Sequence, residues 1–256
     1  MFKAIRISIL LFILFFVAFG SWLTQARSTD WNNSLWVKVY PINGDGSPVA
    51  AGYVENLELS EFEGIEAFVE REARRYGATL EKPVRVELGL PVAEQPPDLP
   101  ASPNVLSVMW WSLRMRWWAD SVGDAQDRIE PDVRIFVRYH NPDAAIRLEN
   151  SVGLQKGMVG VVNGYASRRH RGTNNLVIAH EFLHTLGATD KYSPDTGHPV
   201  GPHGLAEPQR EPLYPQTLAE IMGGRIAIAV DDSIIPKSLD FAVIGPQTAR
   251  EIRLTD

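Results

Sequence analysis

The stretch Ala179–Tyr192, AHEFLHTLGATDKY, decides how this chain is read. His180 and His184 stand four residues apart, so on a helix they share one face and both can point at one ion. Glu181 stands about 100° further round the helix. It therefore flanks the ion rather than completing the histidine pair, and a carboxylate there can take a proton from a water beside the metal. Leu176, Ala179, Leu183 and Leu186, with Phe182 alongside, supply the opposite, apolar face. Thr173 or Asn174 is placed to cap this helix, which is expected to run to about Leu186. Gly187 can adopt the left-handed conformation that ends a helix sharply. Three residues later comes Asp190, a carboxylate able to ligate zinc. Asp195, His198 and His203 follow in SPDTGHPVGPHG and are the alternatives to Asp190 as third ligand. Tyr192 is a candidate donor to a developing oxyanion, and His203 a candidate substrate or oxyanion contact.

Composition narrows the chemistry. A chain of 256 residues makes one sizeable domain or two small ones. The formal net charge of −6 argues against a broad nucleic-acid-binding face. The basic cluster Arg168-Arg169-His170-Arg171 reads as a solvated loop, with a rim contact to an acidic substrate as the sharper alternative. The chain has no cysteine. Disulfides, cysteine nucleophiles and thiolate metal sites are therefore excluded, and any metal must be held by His, Asp or Glu.

The N-terminus differs from the rest. MFKAIRISILLFILFFVAFGSWL carries Lys3 and Arg6 ahead of an apolar run from Ile7 to Phe19, extended by Trp22 and Leu23. The basic flank should stay in the cytoplasm and send the remainder across the membrane. Residues 1–23 are read as a signal peptide, with small residues at Ala18 and Gly20, or as an uncleaved single-pass anchor, which is favoured. Residues 24–34 form a short polar tether. The domain that follows, 35–256, is expected to work outside the cytoplasm.

Along that domain, LWVKVYPI (35–42) alternates as a strand. NGDGSP is a turn, and AAGYVENLEL is read as a second short strand. Ser60 is placed to cap a helix over 61–76, ended by Gly77. PVRVELGL (83–90) is a strand, and a proline-rich connection leads to a helix over about 104–120. That helix holds Trp110, Trp111, Trp117 and Trp118, read as packing, with a substrate-facing or membrane-facing role as the alternative. PDVRIFVRYH (131–140) and GMVGVVNGYA (157–166) are strands. A Pro/Gly-rich loop covers roughly 193–215, with YPQTLAEIM near Tyr214 expected to shape a specificity pocket. A last helix lies around 247–253. The element order gives a single α/β (α+β) domain.

HEFLHTLGATD resembles the extended zinc signature of the metzincin metallopeptidases, H-E-x-x-H-x-x-G-x-x-H/D, in the aspartate version found in snapalysin-type secreted bacterial proteases. Aspzincins also use a downstream aspartate, at a different spacing. The resemblance implies that His180, His184 and Asp190 bind Zn2+ and that Glu181 is the general base. It implies a metzincin-like fold: a mixed twisted sheet with the active-site helix (35–187), then a C-terminal part (188–256) holding a methionine in a tight turn beneath the metal. Met222 in AEIMGGRIA is the residue placed for that Met-turn. It further implies an antiparallel edge strand lining the substrate cleft, for which GMVGVVNGYA is the candidate. The chain departs from the common pattern in its aspartate third ligand and in Gly224, which stands where some metzincins place a tyrosine two residues after the methionine. No family propeptide switch is recognisable, and a thiol switch is impossible without cysteine.

The expectation is therefore a zinc-dependent endopeptidase acting on proteins or peptides, tethered to a membrane by its N-terminal segment. The alternatives are a membrane-tethered binding or scaffold protein with a structural or non-catalytic zinc, and a hydrolase of non-peptide amides.

Overall fold

The computed structural model describes residues 6, 12, 31–100, 104–123, 130–144, 148, 151–155 and 158–255. Apart from Arg6 and Phe12, the expected N-terminal hydrophobic segment lies outside these residues, as does most of the tether. Among the described residues, no helix is long and apolar enough to cross a membrane.

The architecture is mixed α/β. Five strands form one sheet in the order β2 (Val84–Leu88), β1 (Leu35–Asn43), β3 (Val133–His140), β5 (Val159–Tyr165) and β4 (Val152–Leu154). The first four run parallel, and β4 pairs antiparallel with β5 at the edge. Because side chains alternate along a strand, the central strands β1, β3 and β5 feed two cores. Val37 and Val39 of β1 join Ile135 and Val137 of β3 on one face. Tyr40, Ile42 and Phe136 point to the other. Three helices cover the first face: α1 (Pro48–Glu55), α2 (Glu63–Arg75) and α4 (Arg171–Leu186). The second face is covered by α3 (Val105–Gly123), through Trp111, Met115, Trp118, Ala119 and Val122.

The motif helix α4 is held by the apolar face read from the sequence: Leu176, Ala179, Phe182, Leu183 and Leu186 are all buried in the first core. Phe182→Ala should cost about 3–5 kcal/mol, the usual range for deleting a buried ring. Thermal unfolding would read this as a lower Tm, and an unchanged Tm would mean that the helix is not anchored by this face.

Several expectations are corrected. The segment expected as a second strand is α1 and the chain just after it. Ser47 Oγ accepts from Ala50 N at 3.1 Å and Pro48 opens the helix, a strong start signal hidden in what reads as a turn. Ser60 does not cap α2. A 3-10 turn over Leu59–Phe62 precedes that helix, which ends as expected at left-handed Gly77. Neither Thr173 nor Asn174 caps α4. Its N-cap is His170, three residues before Thr173, at the end of a 3-10 turn over Arg168–His170, and Asn174 instead bridges the backbone of Tyr165. In the basic cluster, Arg168 and Arg171 reach the Glu61 carboxylate at 3.5 and 3.9 Å. GMVGVVNGYA is not the antiparallel edge: β5 lies inside the sheet, parallel to β3. The antiparallel edge is the three-residue β4, too short to show an alternation in the sequence.

After α4 the chain is mostly irregular. It carries two small two-stranded sheets, β6 (Ala219–Glu220) with β9 (Ala242–Val243) and β7 (Ile226–Ala227) with β8 (Ser233–Ile234), and closes with α5 (Pro246–Glu251).

Candidate metal centre

On α4, His180, Glu181 and His184 form a group that could hold a metal ion. The ring orientations follow from their second nitrogens. His180 Nδ1 lies 2.9 Å from the Ile221 carbonyl, and His184 Nδ1 lies 2.8 Å from the Ala188 carbonyl. A carbonyl oxygen only accepts, so each Nδ1 carries the proton and donates. Each Nε2 is then left with a lone pair facing inward.

The two Nε2 atoms are 3.1 Å apart. Asp190 Oδ1 lies 3.1 Å from each of them. Three acceptors thus converge on one spot, and neutral rings offer no proton between them. Such a set repels itself unless a cation sits among it. The triangle also fits a tetrahedral ion: with ligand bonds of about 2.0–2.1 Å, the edges of the ligand set are roughly 3.3 Å. The donors are nitrogen and oxygen, which suits zinc and excludes a soft, sulfur-preferring site.

Without a metal the strain falls on protons. Burial alone would lower the His180 pKa, but the hydrogen bond to Asp190, the charge of Glu181 and the Ile221 carbonyl raise it overall. Burial alone would raise the Asp190 carboxyl, but its hydrogen bonds to both histidines hold it well below the usual carboxylate range. Asp190 is therefore an anion at neutral pH.

Glu181 is buried, and its Oε2 finds no hydrogen-bond partner among the described protein atoms. Burial raises its pKa, opposed by the two histidines and by the Gly153 N–H, which donates to the carboxylate. A buried carboxylate oxygen left unpaired beside a cation site is placed to bind or carry a proton.

The turn after α4 makes the third side of the triangle. Gly187 has φ +107°, a left-handed cap that only glycine adopts freely. A Cβ there would also press on the end of the Gln155 side chain. This turn puts the Ala188 carbonyl under His184 and swings Asp190 back towards both histidines. The two residues beside Asp190 are clamped. Glu251 on α5 accepts from Thr189 N and Oγ1, both at 2.9 Å, and from Lys191 Nζ at 2.8 Å. Lys191 N donates to the Met222 carbonyl at 2.9 Å. Those hydrogen bonds hold the Glu251 carboxyl below its ordinary pKa against the effect of burial.

Met222 is fully buried, in a turn completed by Gly223 and by Gly224 at φ +72°. Its neighbour Ile221 supplies the carbonyl that orients His180. Beneath the turn, the buried Glu220 carboxylate accepts from Gly223 N, Gly245 N and Thr248 Oγ1 at 2.8, 3.0 and 2.6 Å. The Tyr192 hydroxyl is hydrogen-bonded to Asp190, and burial together with the Asp190 charge pushes its pKa up to about 12. It therefore remains a donor across the working pH range. Of the other ligand candidates, Asp195 and His203 are exposed and His198 turns Nδ1 to Ser233 Oγ at 3.1 Å. None of these three belongs to the group of His180, Glu181 and His184, and neither does Asp190; what joins Asp190 to it is the 3.1 Å approach of Oδ1 to both Nε2 atoms.

Sequence reading missed Gly153, Lys191, Glu220 and Glu251. Gly153 had no local signal, because the three-residue β4 that holds it does not show as a strand in the sequence. A Cβ there would lie 2.5 Å from the Glu181 carbonyl and 2.6 Å from His184 Cβ. Gly153→Ala should therefore push β4 off α4, costing about 1–3 kcal/mol by overpacking. It should also weaken metal retention, which unfolding and metal titration on one sample would both register. Normal values of both would mean that β4 moves freely against the helix. Lys191, Glu220 and Glu251 had no local signal, because their partners come together only in the fold.

No protein-family model matches the chain, and no curated protein matches it.

Proposed function

We propose that this protein is a zinc-dependent endopeptidase of metzincin-like design, with His180, His184 and Asp190 as ligands and Glu181 as the proton-transferring group. The observation that carries the reading is the triangle of Nε2, Nε2 and Oδ1 at 3.1 Å, closed by an unprotonated carboxylate. Its donor set and spacing fit the ion. When bound, zinc would supply Lewis-acid polarisation of a carbonyl and acidification of a water.

The rest is the work of the chain. Glu181 takes the proton at its unpaired Oε2 and returns it to the leaving amine, and its raised affinity for protons suits both directions of transfer. The Gly153 N–H steadies the other side of the carboxylate. Tyr192 keeps a hydroxyl proton beside Asp190 and is placed to donate to an oxyanion. The turn that holds Met222 supports the site through the Ile221 carbonyl at His180 Nδ1 and the Met222 carbonyl at Lys191 N.

An extended peptide is the substrate that the surroundings favour. The edge strand β4 has one side paired to β5, and it packs through Gly153 against the helix that carries Glu181. A peptide added along its other side would run past Glu181, with main-chain hydrogen bonds supplying affinity. The substrate-lining role expected for GMVGVVNGYA therefore passes to β4.

The test combines metal analysis with digestion of an unfolded protein. Purified protein should carry about one zinc, lose activity to a chelator and regain it on adding zinc. Full activity after complete metal removal would refute the reading.

A further inference from the structure

The helix α3 has an apolar face that the fold leaves bare. Its inner side is spent on the second core, where Trp111 and Trp118 are buried. On its outer side Leu106, Met109, Trp110, Leu113 and Trp117 are all exposed, the two tryptophans at 65% and 76%. Their spacing of three and four residues sets them in one stripe along the helix. A helix apolar on both sides normally has both sides covered, and a contiguous bare patch marks an interaction surface.

We propose that this face lies on a lipid bilayer; the proposal rests on the reading of residues 1–23 as an uncleaved anchor, and the face would dock the domain on that same membrane. The reach of the chain supports that occupant. Residues 24–30, between the apolar run and Trp31, whose Nε1 donates to the Ile252 carbonyl at 2.9 Å, span at most about 25 Å when extended. With residues 1–23 as an uncleaved anchor, the start of β1 is therefore held close to the membrane surface. The C-terminal end of α3 sits at this same end of the sheet. Its Asp120 lies against Arg134 at the start of β3, whose Val133 pairs with Val37 of parallel β1. The junction is fastened by Asp132 Oδ2, which accepts from Trp36 N at 2.8 Å, and by Arg134, which reaches Asp120 at 3.3 Å. From that end the stripe runs back over a helix about 28 Å long, within reach of the same bilayer.

The chemistry suits an interface. Tryptophan is favoured at the boundary between headgroups and acyl chains, and exposed Arg114 beside the stripe can meet lipid phosphates. A patch too weak to hold a membrane alone becomes effective when a tether keeps it at high local concentration. Docking this way turns α4 and the metal centre, on the opposite face of the sheet, away from the lipid.

The absence of cysteine allows a clean test with the full chain. An environment-sensitive fluorophore is attached at Leu113→Cys or, as a control on the opposite face, at exposed Ala67→Cys of α2. Each protein is reconstituted into vesicles of phosphatidylcholine and phosphatidylglycerol, with or without bromine on the acyl chains. The Leu113→Cys label should shift to the blue and lose most of its emission to brominated lipid, while the Ala67→Cys label stays water-like and unquenched. Water-like emission at both positions would overturn the proposal. So would a Leu113→Cys label shielded from water yet unquenched, the signature of a protein occupant such as a second copy. The readout needs neither metal nor activity, so failure of the endopeptidase reading would leave it interpretable.

Discussion

Glu181→Gln is expected to leave the metal content of the purified protein unchanged and to lower kcat on an unfolded protein substrate by roughly 10²–10⁴-fold. The substitution keeps the size of the side chain and an oxygen for the Gly153 N–H. What it removes is the ability of the buried, unpaired Oε2 to take a proton. Because Glu181 flanks the histidine pair, the ion should stay. Equal activity in both proteins, each with stoichiometric metal, would sink the proton-transfer role. Loss of metal together with activity would make Glu181 a ligand. Metal in both with activity in neither would favour the binding-protein alternative.

Asp190→Ala should weaken zinc binding by more than about 100-fold, and Glu251→Gln by about 10–100-fold, the range for a group that orients a ligand without touching the ion. The first removes one corner of the triangle. The second removes a negative partner from Lys191 and loosens the clamp on both sides of Asp190. Since Lys191 is buried, its unpaired charge should also lower stability. Glu251→Gln/Lys191→Met is therefore the companion that separates lost positioning from lost stability. Competition against a chromophoric chelator gives the ranking. If Asp190→Ala binds zinc normally while His198→Ala or His203→Ala does not, the third ligand belongs to the loop and the triangle has been misread.

The parts of the site that were legible are those whose geometry is local. Two histidines at i and i+4, a glutamate beside the first and an apolar back face specify a helix and its display whatever surrounds it. Gly187 is readable for the same reason, because its backbone conformation is a property of one residue. Asp190 is close in sequence, but a flexible hexapeptide could have taken it elsewhere. Its convergence on both Nε2 atoms depends on the clamp from Glu251 and on the Met222 carbonyl. The misread helix at Pro48–Glu55 shows the opposite failure, where a serine-proline cap was present in the sequence and was taken for a turn.

The sequence by itself determined the chemistry on offer: nitrogen and oxygen ligands only, a carboxylate next to them able to take a proton, and a strongly apolar N-terminal run. Those follow from residue types and helical spacing, which need no distant partner. Tertiary structure alone decided that the three-residue β4 is the antiparallel edge, that Gly153 lets it touch the metal helix, and that Glu251 and Glu220 brace the site. It alone divided the tryptophans of α3, burying Trp111 and Trp118 and leaving Trp110 and Trp117 bare. The physical reason is common to all of these. Close approach and burial are set by elements far apart along the chain, and composition carries no record of which faces meet.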